Sequence, residues 1–212
     1  MNYTQLVQAV QNYTENTESS FVSLIPTFVT LAEERIYNSV QINILRKNQI
    51  GVMTVSNKYL TLPSDWLATY SIAVIDPVTN AQTFLLGKDM EFMRESFPDP
   101  DVTGTPGYYG QFDVTTLILG PTPDLSYQVE LHYYYYPQSI TTANTSWLGN
   151  NFSNLLLYAT LREAYLYMKG EQDLIAYYES KYEEGLKLLK NLGEGLNRRD
   201  AYRGSSPPAA IM

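Results

Sequence analysis

No cysteine occurs anywhere in the chain, which excludes disulfides, thiolate metal sites and thiol catalysis. Histidine is almost as scarce. His132 stands alone between Leu131 and Tyr133, in a stretch that alternates as a strand does, and reads as a sheet side chain rather than a catalytic base. No run approaches the ~20 apolar residues of a membrane span. The amino terminus also lacks the basic and apolar regions of a signal peptide, so neither membrane insertion nor secretion is expected. Positive charge is in deficit: 14 Lys and Arg against 22 Asp and Glu give a net −8. That argues against a protein that grips nucleic acid by its phosphates, though not against one that a nucleic acid merely passes. Gly193-Glu194-Gly195 lacks the Lys-Ser/Thr of a phosphate loop and reads as a helix interruption. The acidic pairs Glu33-Glu34, Asp89-Glu91, Asp99-Asp101 and Glu183-Glu184 are neighbours in sequence. A glycosidase needs two carboxyls about 5–10 Å apart across a cleft, which adjacency does not supply. Asp99-Pro100-Asp101 lacks the remaining acids of a calcium loop. No catalytic residue, cofactor or metal ligand is therefore assigned, and the chain is not expected to be an enzyme.

What is present is a globular composition, 44% hydrophobic and 17% charged in 212 residues, enough for one large domain or two small ones. The 19 tyrosines are the unusual component. A rigid, amphipathic ring suits a surface buried against protein or sugar, and equally a sheet core or half-exposed strand.

Helical periodicity is strongest between Asn151 and Leu196. Leu155, Tyr158, Leu161, Tyr165 and Met168 fall three and four apart, on one face of a helix that Asn151 or Ser153 can cap and that Lys169 and Gly170 can end. A second helix starts at Glu171 and carries Leu174, Tyr178, Tyr182, Gly185, Leu189, Leu192 and Leu196 at similar steps. Its length would be on the order of 39 Å. Neither stripe can be buried alone, so an antiparallel pair is expected. Near the amino terminus, Thr4 to Tyr13 reads as a short helix with Thr4 as cap, and Pro26 opens a longer one ending near Val40.

Between these lie short runs rich in β-branched and aromatic residues: 52–55, 59–62, 70–76, 83–86, 107–112, 116–119 and 127–136. Turn residues separate them, and Lys88 to Ser96 supplies a small helix. The expected fold class is α+β: a helical bundle from both ends of the chain with an inserted antiparallel β-sandwich or partial barrel. The bundle would take residues 1–45 and 141–197, the insert 46–140 and an extended arm 198–212. In Tyr133 to Tyr136, two rings face each side of a strand, so Tyr134 and Tyr136 are candidates for a tail- or ligand-facing surface. The arm holds Arg198, Arg199, Tyr202 and Arg203 before Pro207 and Pro208. It is either a frayed terminus or an arm that orders on a partner.

Three features together resemble the head-to-tail adaptor (connector) proteins of tailed bacteriophages, particularly the short-tailed type. They are the helix Phe21 to Ile36 (FVSLIPTFVTLAEERI), the turn Tyr59 to Leu67 (YLTLPSDWL), and the final helix pair with its arginine-bearing tail. The resemblance implies a structural protein at the neck of the virion, made in the host bacterial cytoplasm. It would be a homo-oligomeric ring of about twelve copies below the portal, with viral DNA passing through its lumen. It further implies portal docking by Arg198, Arg199, Tyr202 and Arg203, and subunit contacts shared with the core at Tyr158, Tyr165, Tyr178 and Tyr182. The β insert would face tail or nozzle protein, or a tail fibre. The alternative from the residues is a carbohydrate- or receptor-binding module using the tyrosine-rich sheet.

Overall fold

The computed structural model describes residues 1–40 and 42–198, with side chains through Gly193. In chain order its helices are α1 Tyr3–Thr14, α2 Ser19–Val22, α3 Ile25–Asn38, α4 Met90–Ser96, α5 Ile140–Ala143, α6 Trp147–Asn151, α7 Ser153–Tyr167 and α8 Gln172–Arg198. Its strands are β1 Arg46–Val52, β2 Tyr59–Thr61, β3 Ala68–Ile75, β4 Gln82–Phe84, β5 Leu86–Gly87, β6 Thr103–Gly104, β7 Tyr108–Gln111, β8 Thr116–Gly120, β9 Thr122–Pro123 and β10 Gln128–Tyr134. The class is α+β, and the chain divides into two compact units, Met1–Asn43 with the chain from Pro137 onward, and Ile44–Tyr136.

In the helical unit the start of α1 is fixed by a capping box. The Asn2 side chain accepts from the Gln5 amide at 2.9 Å while the Gln5 side chain accepts from the Asn2 amide at 3.0 Å. The cap is thus Asn2, not Thr4. Pro26 sits in the first turn of α3, where its missing N–H costs nothing. Neither Asn151 nor Ser153 caps α7. That helix follows directly on α6, Phe152 occupies the cap position, and no side chain bonds there. Just beyond α7, Lys169 takes the left-handed conformation (φ 53°), and the Gly170 amide donates to the Tyr165 carbonyl at 2.9 Å. A Cβ on Gly170 would lie 2.7 Å from the Tyr165 ring, so the turn requires glycine at that place. The 27 residues of α8 make a rod about 40 Å long, and Gly193-Glu194-Gly195 does not interrupt it.

α7 is the centre of this unit, packing against α1, α3 and α8. It therefore buries most of its circumference, Leu155, Leu156, Leu157, Ala159, Thr160, Leu161 and Ala164, rather than the single expected stripe. Its contact with α8 is close: a Cβ on Gly185 would stand 3.1 Å from the Leu155 Cβ.

The β unit is a sandwich and not a closed barrel. One sheet has the order β1-β10-β3-β4, all antiparallel. The other has the order β2-β8-β7-β5, where β5 joins β7 in parallel, and β6 and β9 form a small parallel pair. Ile72, Val74, Val129, Leu131 and Tyr133 from the first sheet share a core with Leu117 and Leu119 from the second. On the outer side of the second sheet lies α4. Its Met93 occupies the space a side chain at Gly110 would need (2.9 Å), and Phe97 that at Gly120 (2.4 Å). The first strand is Arg46–Val52, earlier than the expected 52–55. Met53 instead opens the turn to β2, its amide donating to the Tyr127 carbonyl at 2.8 Å.

Candidate assembly surfaces

In the helical unit, polar chemistry concentrates where α3, α7 and α8 meet. Glu179 of α8 takes both terminal nitrogens of Arg35 from α3, one at 3.1 Å, and also the Nε of Arg162 from α7. Arg162 reaches Glu163 at 2.6 Å, and the Arg35 guanidinium lies 4.3 Å from the centroid of the Tyr182 ring. Bidentate arginine–carboxylate bonding sets geometry as well as charge. Its hydrogen bonds from Arg35, reinforced by the charges of Arg35 and Arg162, hold the Glu179 carboxyl below its ordinary pKa. Glu33, on the same α3, behaves oppositely. Only 3% exposed, it accepts the Ile140 amide at the start of α5 at 3.0 Å. Burial pushes its pKa up against the hydrogen bonds from Ser139 and Ile140.

The structure gathers three of the four expected interface tyrosines. Tyr178 stacks on Tyr158 (centroids 6.2 Å apart) and lies 5.1 Å from Tyr165, whose hydroxyl donates to the Tyr13 carbonyl at 2.9 Å. Tyr178 and Tyr182 are buried within the unit, and burial raises the Tyr178 pKa. Tyr158 and Tyr165 are half-buried. Beside Tyr158 runs a groove of about 220 Å³ between α7 and α8, lined by Asn154, Leu155, Lys181, Glu184, Gly185 and the exposed Leu188. Arg198 is the last residue of α8 and its side chain lies outside the described residues, as do Arg199, Tyr202 and Arg203 entirely.

In the β unit, cross-strand register defines the outer face of the first sheet. Ile50, Glu130, Ala73 and Phe84 form one row across all four strands, because directly paired residues point to the same side. Neighbouring rows hold Val52 with Gln128, Asn48 with His132, and Arg46 with Tyr134. Ile50, Val52 and Phe84 are 56%, 65% and 64% exposed. Tyr134 does face outward, half-buried. Its ring meets Tyr70 edge-on at 5.9 Å, and Tyr70 meets His132 at 5.2 Å. The Arg46 guanidinium lies 4.0 Å from the Tyr70 centroid and 5.5 Å from that of Tyr134. Tyr136 is exposed just beyond β10. On the inner side, the Tyr133 hydroxyl donates to Asp65 at 2.8 Å, and the Lys47 ammonium does so at 2.7 Å. These bonds, Lys47 first, lower the Asp65 pKa and fasten the Pro63 to Trp66 turn to β1 and β10.

Arg46, Tyr70 and Phe84 were not foreseen as surface residues. The signal available was the alternation of Arg46, Asn48, Ile50 and Val52, which is faint because only two of the four are apolar. Among the described residues no group of three or more His, Cys, Asp or Glu could hold a metal ion, and no helix is long and apolar enough to cross a membrane.

The described residues thus offer a helical unit braced by an internal ion cluster and a sheet whose outer face mixes exposed Ile50, Val52 and Phe84 with polar and charged residues. The chain matches the model of the SU10 adaptor protein family over residues 1–210, and it belongs to that family. It is accordingly a bacteriophage structural protein of the adaptor kind, a virion component and not an enzyme. No curated protein matches it.

Proposed function

We propose that the chain assembles as a closed ring at the virion neck, between portal and tail or nozzle, and that viral DNA passes through the ring. The observation carrying this reading is the family match, which spans both units and the carboxy-terminal arm. A ring needs a heterologous interface that closes by rotation, and α8 offers an outward stripe for one, with Leu174, Tyr177, Leu188 and Leu192 all exposed. Tyr158 and Tyr165 would border the neighbouring subunit while Tyr178 and Tyr182 brace the helix from behind. The net charge of −8 keeps phosphates from settling on the lumen wall. Arg198, Arg199, Tyr202 and Arg203 dock on the portal, where many arms acting together multiply a weak individual affinity.

Size measurement with and without portal protein tests this reading. A ring of defined mass is expected, formed alone or on the portal, and a chain that remains monomeric in both conditions refutes it. Truncation after Asn197 should leave a folded protein that the portal no longer retains; normal retention would refute arm docking. Glycan binding lost on changing Tyr134 or Tyr136 to Ala would favour the sugar-binding alternative.

A further inference from the structure

In the first sheet the middle of the outer face and its two edges differ in chemistry. The middle strands present Gln128, Glu130 and His132 from β10, with Ser71, Ala73 and the half-buried Ile75 from β3. Glu130 accepts from the Asn48 side chain at 2.5 Å and from that of Gln82 at 3.1 Å, so a polar band runs from β1 to β4. The large exposed apolar side chains stand at the margins, Ile50 and Val52 on β1 and Phe84 on β4. A polar face suits water, and apolar margins are covered from the side.

Both edges are also open in their backbones. The Met53 amide donates to the Tyr127 carbonyl and the Tyr135 amide to the Leu45 carbonyl, on the register that pairs Arg46 with Tyr134. Antiparallel pairs alternate between bonded and non-bonded, so the odd residues of β1 turn their backbone groups to β10. Arg46, Asn48, Ile50 and Val52 turn theirs outward. On β4 the Leu85 amide donates to the Ile72 carbonyl and the Asp76 amide to the Ala81 carbonyl, so Gln82 and Phe84 turn theirs outward. Among the described residues no hydrogen bond engages these outward groups. Such an edge templates strand addition. The charges of β1, Arg46 and Lys47, lie at one end, and from Asn48 to Val52 no charge, proline or register shift deters a partner.

The two edges match each other in direction, height and phase. The four strands alternate in direction, so β4 of a copy set alongside in the same orientation meets β1 as an antiparallel partner. Ile50 and Phe84 share one row of the sheet, so a copy displaced along that row brings them opposite each other. Both turn their backbones outward there and can exchange two hydrogen bonds, while their apolar side chains meet on the same face. We propose that in the assembled ring β1 of one copy pairs with β4 of the next, Ile50 opposite Phe84 and Val52 opposite Gln82. This pairing rests on the ring reading above and goes beyond it by naming the strands that join neighbouring copies. A heterologous contact uses two unlike patches per subunit, and opposite edges of one sheet are such patches. Because β4 has three residues, the pairing is too short to hold two copies alone and acts together with the other contacts of the ring.

The absence of cysteine makes the test clean. Chains carrying both Ile50→Cys and Phe84→Cys are assembled, alone or on portal protein, treated with a short bis-methanethiosulfonate and run under non-reducing, denaturing conditions. Within one chain the two positions are three strand spacings, about 14 Å, apart, beyond the reach of the shortest linker. A ladder of covalent multimers is expected from the double variant, and unlinked monomer from each single variant. Mixing the two single variants should give dimers and nothing larger. Dimers from Ile50→Cys alone would mean a two-fold pairing of β1 with β1 and overturn the proposal. A linked product with another virion protein, or a ring of correct mass with no ladder, would overturn it while leaving the ring reading intact. Persistent monomer overturns both. Residue-resolved hydrogen exchange on the unaltered chain gives an independent reading. The Ile50 and Phe84 amides should exchange freely in the unassembled chain and at least tenfold more slowly in the ring, while those of Gln49 and Gly51 are protected in both. Equal rates at Ile50 in the two states would overturn the pairing.

Discussion

Both units have apolar cores, but the helical unit adds buried polar groups and an ion cluster to its core, whereas the β unit does so much less. Glu33, Thr160 and Ser146 are buried among the helices, and the Arg35–Glu179–Arg162 cluster joins three of them across partly buried ground. Hydrogen-bonded polar groups of this kind set register and orientation, because any slip leaves a charge without its partner. In the sandwich, the buried set is aliphatic apart from Tyr127 and Tyr133, whose hydroxyls reach Asp124 and Asp65. A core of that kind sets the distance between sheets but asks nothing of their outer faces. The contrast teaches that polar groups inside a unit specify its register, while an apolar core leaves the outer faces of its sheets unconstrained.

The sharpest way to break this comparison is through the two cores. Tyr133 is fully buried, so Tyr133→Ala should cost about 3–5 kcal/mol, while Tyr133→Phe, which keeps the ring, should cost about 1 kcal/mol. Denaturant midpoints for the two variants measure both, and equal losses would show the hydroxyl to matter more than the packing. Next in size is Glu179→Ala. It strands two arginines in a site that retains some solvent, for an expected loss of about 1–3 kcal/mol. A change within error would show that the ion cluster is decoration.

Acid titration sharpens the contrast inside the helical unit. The pKa of Glu179 is lower folded than unfolded, so its stabilisation is present above the ordinary carboxylate pKa and is lost as pH falls through the lowered value. The pKa of Glu33 is higher folded than unfolded, so its contribution is present below the ordinary carboxylate pKa and is lost as pH rises through the raised value. Stability measured from pH 3 to 7 should therefore rise more steeply with pH in Glu33→Gln than in the parent, and less steeply in Glu179→Gln. Slopes that move together would contradict the opposed environments. The smallest effect is expected at the exposed Lys181–Glu184 pair, where Glu184→Ala should stay within about 0.5 kcal/mol.

The helices were legible where their periodicity reflects one buried side. α1, α3 and α8 follow the expected ranges closely. α7 was legible in extent but not in facing, because a helix packed on three neighbours has no single inner stripe to display. In the β unit, 59–61 and 116–120 could be read from β-branched and aromatic residues. Strand β1 could not, since its sequence RKNQIGV is an edge strand whose inner positions are Lys47, Gln49 and Gly51, none of them with an apolar side chain. The ion cluster joins residues 144 positions apart, a distance over which no local pattern runs. Of the expected surface residues, Tyr158, Tyr165, Tyr134 and Tyr136 retain exposed or half-exposed rings, while Tyr178 and Tyr182 are interior. An amphipathic helix pattern marks a face as apolar without telling which neighbour covers it.

The β unit begins and ends at one place. Arg46, at the start of β1, pairs with Tyr134, at the end of β10, and the Tyr135 amide donates to the Leu45 carbonyl at 2.9 Å. Entry and exit therefore stand about one strand spacing, ~5 Å, apart. To the flanking chain, the entire sandwich presents the ends of a tight hairpin, whatever lies beyond them. Such an insert is a cassette. Lengthening, trimming or exchanging it changes the loop-closure entropy only logarithmically, so one stem can carry differently shaped heads, each suited to a different partner.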